Sequence, residues 1–277
     1  MPRERITITI DSNVLDGADR LVDGKKIRSR SQAIEFIVSD YFSGSEMPDA
    51  LILASGPRKS LTLNNQPKFM EKIGDKTILE KIVSMLDGKT GTIHIYIDEW
   101  EREFIEKTDL SKFRSKVSIL SGSGKQGTIN PLKEFIELSG KEFILAYCDT
   151  LLDIDITRML QVHRESNALA TIAVTTVSNP EKFGVVDMKG SLITGFSEKP
   201  LGKAESHIVS TGFCIIRKEI AKYIGKGDSS IEKDLFPRLA EKGLLAGYVF
   251  TGKYLNVNTG KELKKARSDI PSWNRST

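Results

Sequence analysis

The chain has 277 residues, 39% of them hydrophobic and 28% charged, with a formal net charge of +4. That length holds one large domain or two unequal ones with a globular composition. The mild charge does not by itself indicate nucleic acid, and no apolar run is long enough to span a membrane.

The chain begins MPRERITITI, without the apolar core of a signal peptide. In RITITI (residues 5–10) strict alternation puts Ile6, Ile8 and Ile10 on one face and Arg5, Thr7 and Thr9 on the other. Asp11 and Ser12 offer a helix N-cap, and Val14, Leu15, Ala18, Leu21 and Val22 follow at helical spacing. GKKIR makes a turn. Ser29 or Ser31 then caps a second helix, whose predicted buried face is Ala33, Ile34, Ile37, Val38 and Tyr41. A lone strand needs a partner, and the economical one is a second copy of the chain.

This stretch resembles the ribbon-helix-helix family of DNA-binding proteins over about residues 3–43. The resemblance implies a homodimer through the ribbon, open to higher assembly, with double-stranded DNA as partner and the ribbon in the major groove. Arg5, Thr7 and Thr9 would read base edges. Ser29, Arg30 and Ser31 would hold a phosphate at the helix start, with Lys25, Lys26 and Arg28 adding phosphate contacts.

SGSEMPD (43–49) is small and polar and contains Pro48. It divides the chain into a module over 1–45, a linker at 46–49 and a larger domain over 50–277. In the latter, LILAS (51–55), TIHIYI (92–97), KVSIL (116–120), FILAY (143–147) and LATIAVTTV (169–177) read as strands. TILEKIVSML (77–86), INPLKEFIELS (129–139) and DITRMLQVHRES (155–166) read as the helices between them. The alternation predicts an α/β, Rossmann-like domain, its mostly parallel sheet flanked by helices. Cys148 and Cys214 lie in apolar strand-like runs, as buried thiols of a reducing cytoplasm would.

The chemistry-bearing motifs come in a fixed order. A strand leads into a Gly-containing loop at Ala54, Ser55 and Gly56, followed by the pair Pro67-Lys68. Gly127-Thr128 sits after a strand, and FILAYCD ends on Asp149. FGVVD (183–187), FSEKP (196–200), STGFCII (210–216) and EKDLFPRLAEKG (232–243) follow. The histidines His94, His163 and His207 have no metal-ligand spacing. SGSGKQGT (121–128) lacks the Lys-Ser/Thr pair of a Walker loop.

That series resembles the sugar-phosphate nucleotidyltransferase family over almost all of residues 50–270. In the family a sugar 1-phosphate attacks the α-phosphate of a nucleoside triphosphate, which demands positioning and charge neutralisation. Carried over, Ala54, Ser55, Gly56, Arg58, Lys68, Gly127 and Thr128 would bind the nucleotide. Gly184, Glu198, Lys199 and Thr211 would face the sugar phosphate. Asp149 would be the first magnesium ligand, with Asn256 a weakened second one.

Two departures stand out. The loop after Gly56 is short, lacks the family's second glycine, and places Pro57, which has no amide to donate, before Arg58. Asn256 stands where the family has a second metal aspartate. The reading these favour is a DNA-binding regulator whose pocket senses a nucleotide, sugar phosphate or nucleotide-sugar, with weakened or lost catalysis and magnesium at low occupancy. The other reading is an active sugar-1-phosphate nucleotidyltransferase dimerised by the ribbon.

Overall fold

The computed structural model describes residues 7–22, 24, 27–43, 47–122 and 127–269. The chain divides into two compact units, Met1–Met47 and Pro48–Thr277. No helix among the described residues is long and apolar enough to cross a membrane.

In the first unit Asp11 caps α1 (Ser12–Asp19), its Oδ1 accepting from the Asn13 amide at 2.8 Å. Gly24, at φ +70°, donates its amide to the Ile27 carbonyl and turns the chain toward α2 (Arg30–Ser43). Residues 7–10 form no strand within the single chain; Arg5 and Ile6 lie outside the described residues, as do Lys25 and Lys26. The physical reason is the one that made the expectation conditional: an extended segment becomes a strand only when its amides and carbonyls find a partner. Among the described residues the unit buries only Ala18 and Ala33, while Ile8, Val14, Leu21, Ile37 and Val38 are exposed. Two short helices enclose too little volume for a core.

The second unit carries a nine-stranded sheet. Its strands are β1 (Asp49–Leu53), β2 (Thr92–Ile97), β3 (Lys116–Ser121), β4 (Glu142–Tyr147), β5 (Ala170–Thr176), β6 (Gly184–Lys189), β7 (Leu192–Glu198), β8 (Ile208–Arg217) and β9 (Leu245–Val249). The main ladder runs β9, β5, β8, β4, β1, β2, β3. The pairs β9–β5, β4–β1, β1–β2 and β2–β3 are parallel, but β8 runs antiparallel to both its neighbours. The hairpin β6–β7 turns at Gly190, φ +62°, and joins β8 through Val185–Val209 and β9 through Leu192–Ala246. The sheet is therefore mixed, a correction to the mostly parallel expectation. FGVVD and FSEKP pair as a hairpin, and the chain returns through β8 without the crossover helix a parallel connection needs.

Alternation along the strands feeds two cores. Ala50, Ile52, Ile144 and Ala146 point to one side, where α3 (Ile78–Leu86), α6 (Ile156–Glu165) and α8 (Gly260–Asp269) pack. Ile105 of α4 (Glu99–Glu106) joins them. Leu51, Leu53, Phe143 and Leu145 point to the other, against α5 (Ile129–Leu138) and α7 (Phe236–Glu241). Thr77 and Glu80 form a capping box that starts α3, a contribution of about 1 kcal/mol. Both faces of β1 and β4 being covered, their polar termini are where a site opens.

Candidate active site

β1 ends on Ala54, Ser55 and Gly56, and β4 ends on Cys148 and Asp149, so parallel pairing sets these two termini side by side. Ala54 is buried and donates its amide to the Tyr96 carbonyl at 2.9 Å. Gly56, at φ +148°, donates its amide to Asp98 Oδ2 at 3.1 Å. Pro57 opens the helical turn Arg58–Leu61, and the Arg58 guanidinium lies 5.2 Å from the Trp100 ring centroid. Beneath this loop Glu101 is fully buried. Its Oε2 accepts from the Asp98 amide at 2.9 Å, and its Oε1 has no partner among the described residues. Burial, and then the charge of Asp98, push the Glu101 carboxyl up to about 8.

Lys68 is buried, with Nζ 2.6 Å from Asn258 Oδ1 and 3.8 Å from Asp149 Oδ2. Burial raises the proton affinity of Asp149, and Lys68 pulls it back down, with Lys199 as a weaker contributor in the same direction. The short ribbon of Tyr254–Asn256 against Thr150–Leu152 places Asn256 opposite Thr150 and directs the Val257 amide to the Asp149 carbonyl at 2.9 Å. Gly252 permits that approach, because a Cβ there would lie 1.8 Å from the Asp153 carbonyl oxygen. Asn256 Nδ2 donates to Thr150 Oγ1 at 3.2 Å, while its carbonyl oxygen accepts from Asn258 Nδ2.

The β6–β7 register sets Gly184 opposite Glu198. A Cβ at Gly184 would sit 2.5 Å from the Phe196 ring and 3.0 Å from Glu198 Oε2. Lys199 holds φ at +47°, donates its amide to the Phe183 carbonyl at 3.0 Å, and brings Nζ to 3.4 Å from Glu198 Oε1. Burial raises the Glu198 carboxyl, Lys199 lowers it and Glu232 raises it. Gly127 and Thr128 precede α5, and Thr128 Oγ1 donates to Glu232 Oε2 at 3.2 Å.

The structure thus gathers Lys68, Asp149 and Asn256 into one cluster, with Glu198–Lys199 electrostatically linked to it through Lys199. Thr211 is not among the groups facing it: its hydroxyl is buried and donates to the Ala173 carbonyl at 2.8 Å. Sequence reasoning missed Asp98, Glu101, Tyr147, Glu232 and Asn258. Glu232 and Tyr147 lay inside segments already singled out, Asn258 is two residues beyond Asn256, and Asp98 follows directly on the strand TIHIYI.

The sequence matches the family model described as Nucleotidyl transferase over residues 49–273. It is 27% identical over 225 residues to the mannose-1-phosphate guanylyltransferase catalytic subunit beta of Drosophila pseudoobscura pseudoobscura. That alignment covers 77% of this chain and 60% of the relative. It is 35% identical over 127 residues to the UTP--glucose-1-phosphate uridylyltransferase of Synechocystis sp., covering 44% of this chain and 32% of that protein. Among solved structures, HddC from Yersinia pseudotuberculosis superposes with a TM-score of 0.68 at 21% identity, covering 81% of this chain and 100% of that one.

These findings correct the reading of the chain as a DNA-binding transcriptional regulator: the relatives it aligns with are sugar-1-phosphate nucleotidyltransferases. Double-stranded DNA and a ribbon-joined second copy are set aside with it as partners. The local geometry agrees. Arg30 is paired with Asp19, its Nε 2.7 Å from Oδ1, and the Ser29 hydroxyl accepts from the Gln32 amide at 3.3 Å as a helix cap. Arg28 directs its amide to Gln32 Oε1, and Thr7, Thr9 and Ser31 are exposed without a strand to align them. The chain belongs to the nucleotidyl transferase family.

Proposed function

We propose that this family member is a sugar-1-phosphate nucleotidyltransferase, converting a nucleoside triphosphate and a sugar 1-phosphate to a nucleotide-sugar and pyrophosphate. The observation that carries the reading is the buried Lys68–Asp149 pair just beyond the end of β4, with Glu198–Lys199 forming a second pair of opposite charges. A sugar phosphate is already an oxyanion, so the reaction needs no general base. One of its phosphate oxygens forms a bond to the α-phosphorus, and the bond from that phosphorus to the bridging oxygen breaks. Pyrophosphate leaves with the electron pair. What the protein must supply is alignment and positive charge.

Lys199 is two-thirds exposed and only loosely paired with Glu198, so it can turn toward a sugar phosphate. Glu198 accepts sugar hydroxyls beside it, and Gly184 lets Phe196 and Glu198 pack directly against the backbone of β6. Lys68 neutralises charge on the triphosphate side. Ala54, Ser55 and Gly56 lie along the nucleotide, with Arg58 flanking them and Gly127 and Thr128 on the base side.

Family members use magnesium, and the donor set here suits one ion held by a single carboxylate. Asp149 provides the charge, Asn256 a neutral oxygen already engaged by Asn258, and substrate phosphates complete such a shell. When bound, the ion would neutralise phosphate charge.

The test is a pyrophosphate-release screen of the purified chain with each nucleoside triphosphate against glucose 1-phosphate and mannose 1-phosphate, with magnesium. Turnover with at least one pair is expected. Absence of release with every pair would overturn the proposal.

A further inference from the structure

Glu232 lies in the π-helical turn Ile231–Leu235, a helical form found mostly where function distorts a helix. One of its carboxylate oxygens accepts from the Tyr147 hydroxyl at the end of β4. The other accepts from Thr128 Oγ1 at 3.2 Å and Ser230 Oγ at 2.9 Å. The same two segments are tied again by backbone bonds. The Ile231 amide donates to Thr128 Oγ1 at 2.8 Å, and the Ile129 amide to the Ser229 carbonyl at 3.2 Å. Gly127 makes this approach feasible, since a Cβ there would lie 2.1 Å from the Ser229 carbonyl oxygen. On the other side, the charge of Glu232 raises the proton affinity of Glu198.

Glu232 therefore touches the loop on the base side of the site, and its turn packs against β7, the strand that ends on Glu198 on the sugar side. We propose that Glu232 is a positioning residue that holds Gly127–Ile129 against the end of β4 and couples nucleotide binding to sugar-phosphate binding. The role rests on the nucleotidyltransferase reading above. The loop is fixed by hydrogen bonds to a carboxylate, stronger than bonds between neutral groups. Removing that acceptor frees Thr128 and Tyr147 together, and both substrates then meet a looser site.

The test compares wild type, Glu232→Ala and Glu232→Gln by amide hydrogen exchange and by pyrophosphate-release kinetics. In E232A, protection of the Ile129 and Ile231 amides falls about tenfold, as loss of one bond to a charged group implies. The KM values for nucleoside triphosphate and sugar phosphate both rise about tenfold, while kcat changes less than about threefold. In E232Q, hydroxyl partners can reverse donor and acceptor roles around the amide, so protection and both KM values return to within about threefold of wild type. Unchanged protection in E232A overturns the proposal. So does a rise in the sugar-phosphate KM alone, which would make Glu232 a sugar contact, or failure of glutamine to rescue. A wild-type chain that turns over no substrate pair sinks the underlying reading instead, a result that exchange protection cannot mimic.

Discussion

The two sides of the site are held in different ways. On the sugar side, Glu198 and Lys199 are placed by the β6–β7 register and by a backbone bond from Lys199 to Phe183, and Lys199 remains exposed. On the triphosphate side the polar groups hold one another. Asp98 takes the Gly56 amide, Asn258 takes both Lys68 and Asn256, and Arg58 lies on Trp100. Under the proposed function, the sugar side is ready for its ligand, whereas the triphosphate side must exchange partners as the nucleotide enters. Binding energy on that side is partly used to break existing contacts.

The largest effect should come from the triphosphate side. Asp149→Ala removes the carboxylate 3.8 Å from the Lys68 ammonium, and kcat should fall about a hundredfold or more, the scale of losing a central electrostatic group. The KM for sugar phosphate should move little. A loss below tenfold in steady-state pyrophosphate release would mean that charge is neutralised elsewhere, and the contrast between the sides would collapse.

Lys199→Ala probes the other side. Its exposed ammonium is only loosely paired with Glu198, so its loss should raise the sugar-phosphate KM about tenfold, as for a hydrogen bond to a charged group, and leave the nucleotide KM within about twofold. Equal rises in both constants would show that the sides are not separable at this residue.

Asp98→Asn should act in the opposite direction, and more weakly. Asparagine keeps an acceptor for the Gly56 amide but removes a negative charge from the place where a triphosphate would approach. With screening close to that of bulk water and a separation of about 4 Å, the relief is on the order of 1 kcal/mol, or about fivefold tighter nucleotide binding by calorimetry. Weaker binding in D98N would show that Asp98 assists the loop and does not oppose the ligand.

Much of this was legible in the residues. The apolar runs TIHIYI, KVSIL and FILAY are strands within a residue of their predicted bounds, because runs this short between polar segments suit a strand better than a helix. Lys68 and Asp149 could be picked out because each directly follows a recognisable feature, Pro67 or a strand end. Strand direction could not, since the apolar pattern of Ile208–Arg217 is the same whichever way it pairs. α4 was missed because EWEREFIE carries few apolar positions and buries little beyond Ile105 and Glu101. Asp98, Glu232 and Asn258 depend on contacts across long sequence separations, which no local pattern encodes. The alternation of residues 7–10 likewise does not suffice for a strand within one chain, since a strand needs a partner to pair with.

The smallest effect concerns Glu101, beneath the triphosphate loop, and it reads through stability. Its folded pKa of about 8 lies above the ordinary value of 4.5. Between those two values the unfolded chain has released the proton and the folded chain still holds it. Stability from this group is thus fully present below pH 4.5 and is lost as pH rises through about 8. Glu101→Gln cannot ionise, and its amide oxygen can still accept from the Asp98 amide. The melting temperature of the variant should therefore decline less than that of wild type across this window, and the two curves should separate progressively between about pH 4.5 and 8 and run parallel above it. Curves parallel within that window as well would show that Glu101 ionises normally in the folded chain. The triphosphate side would then carry a full second charge beside Asp98, which would enlarge the expected gain from Asp98→Asn.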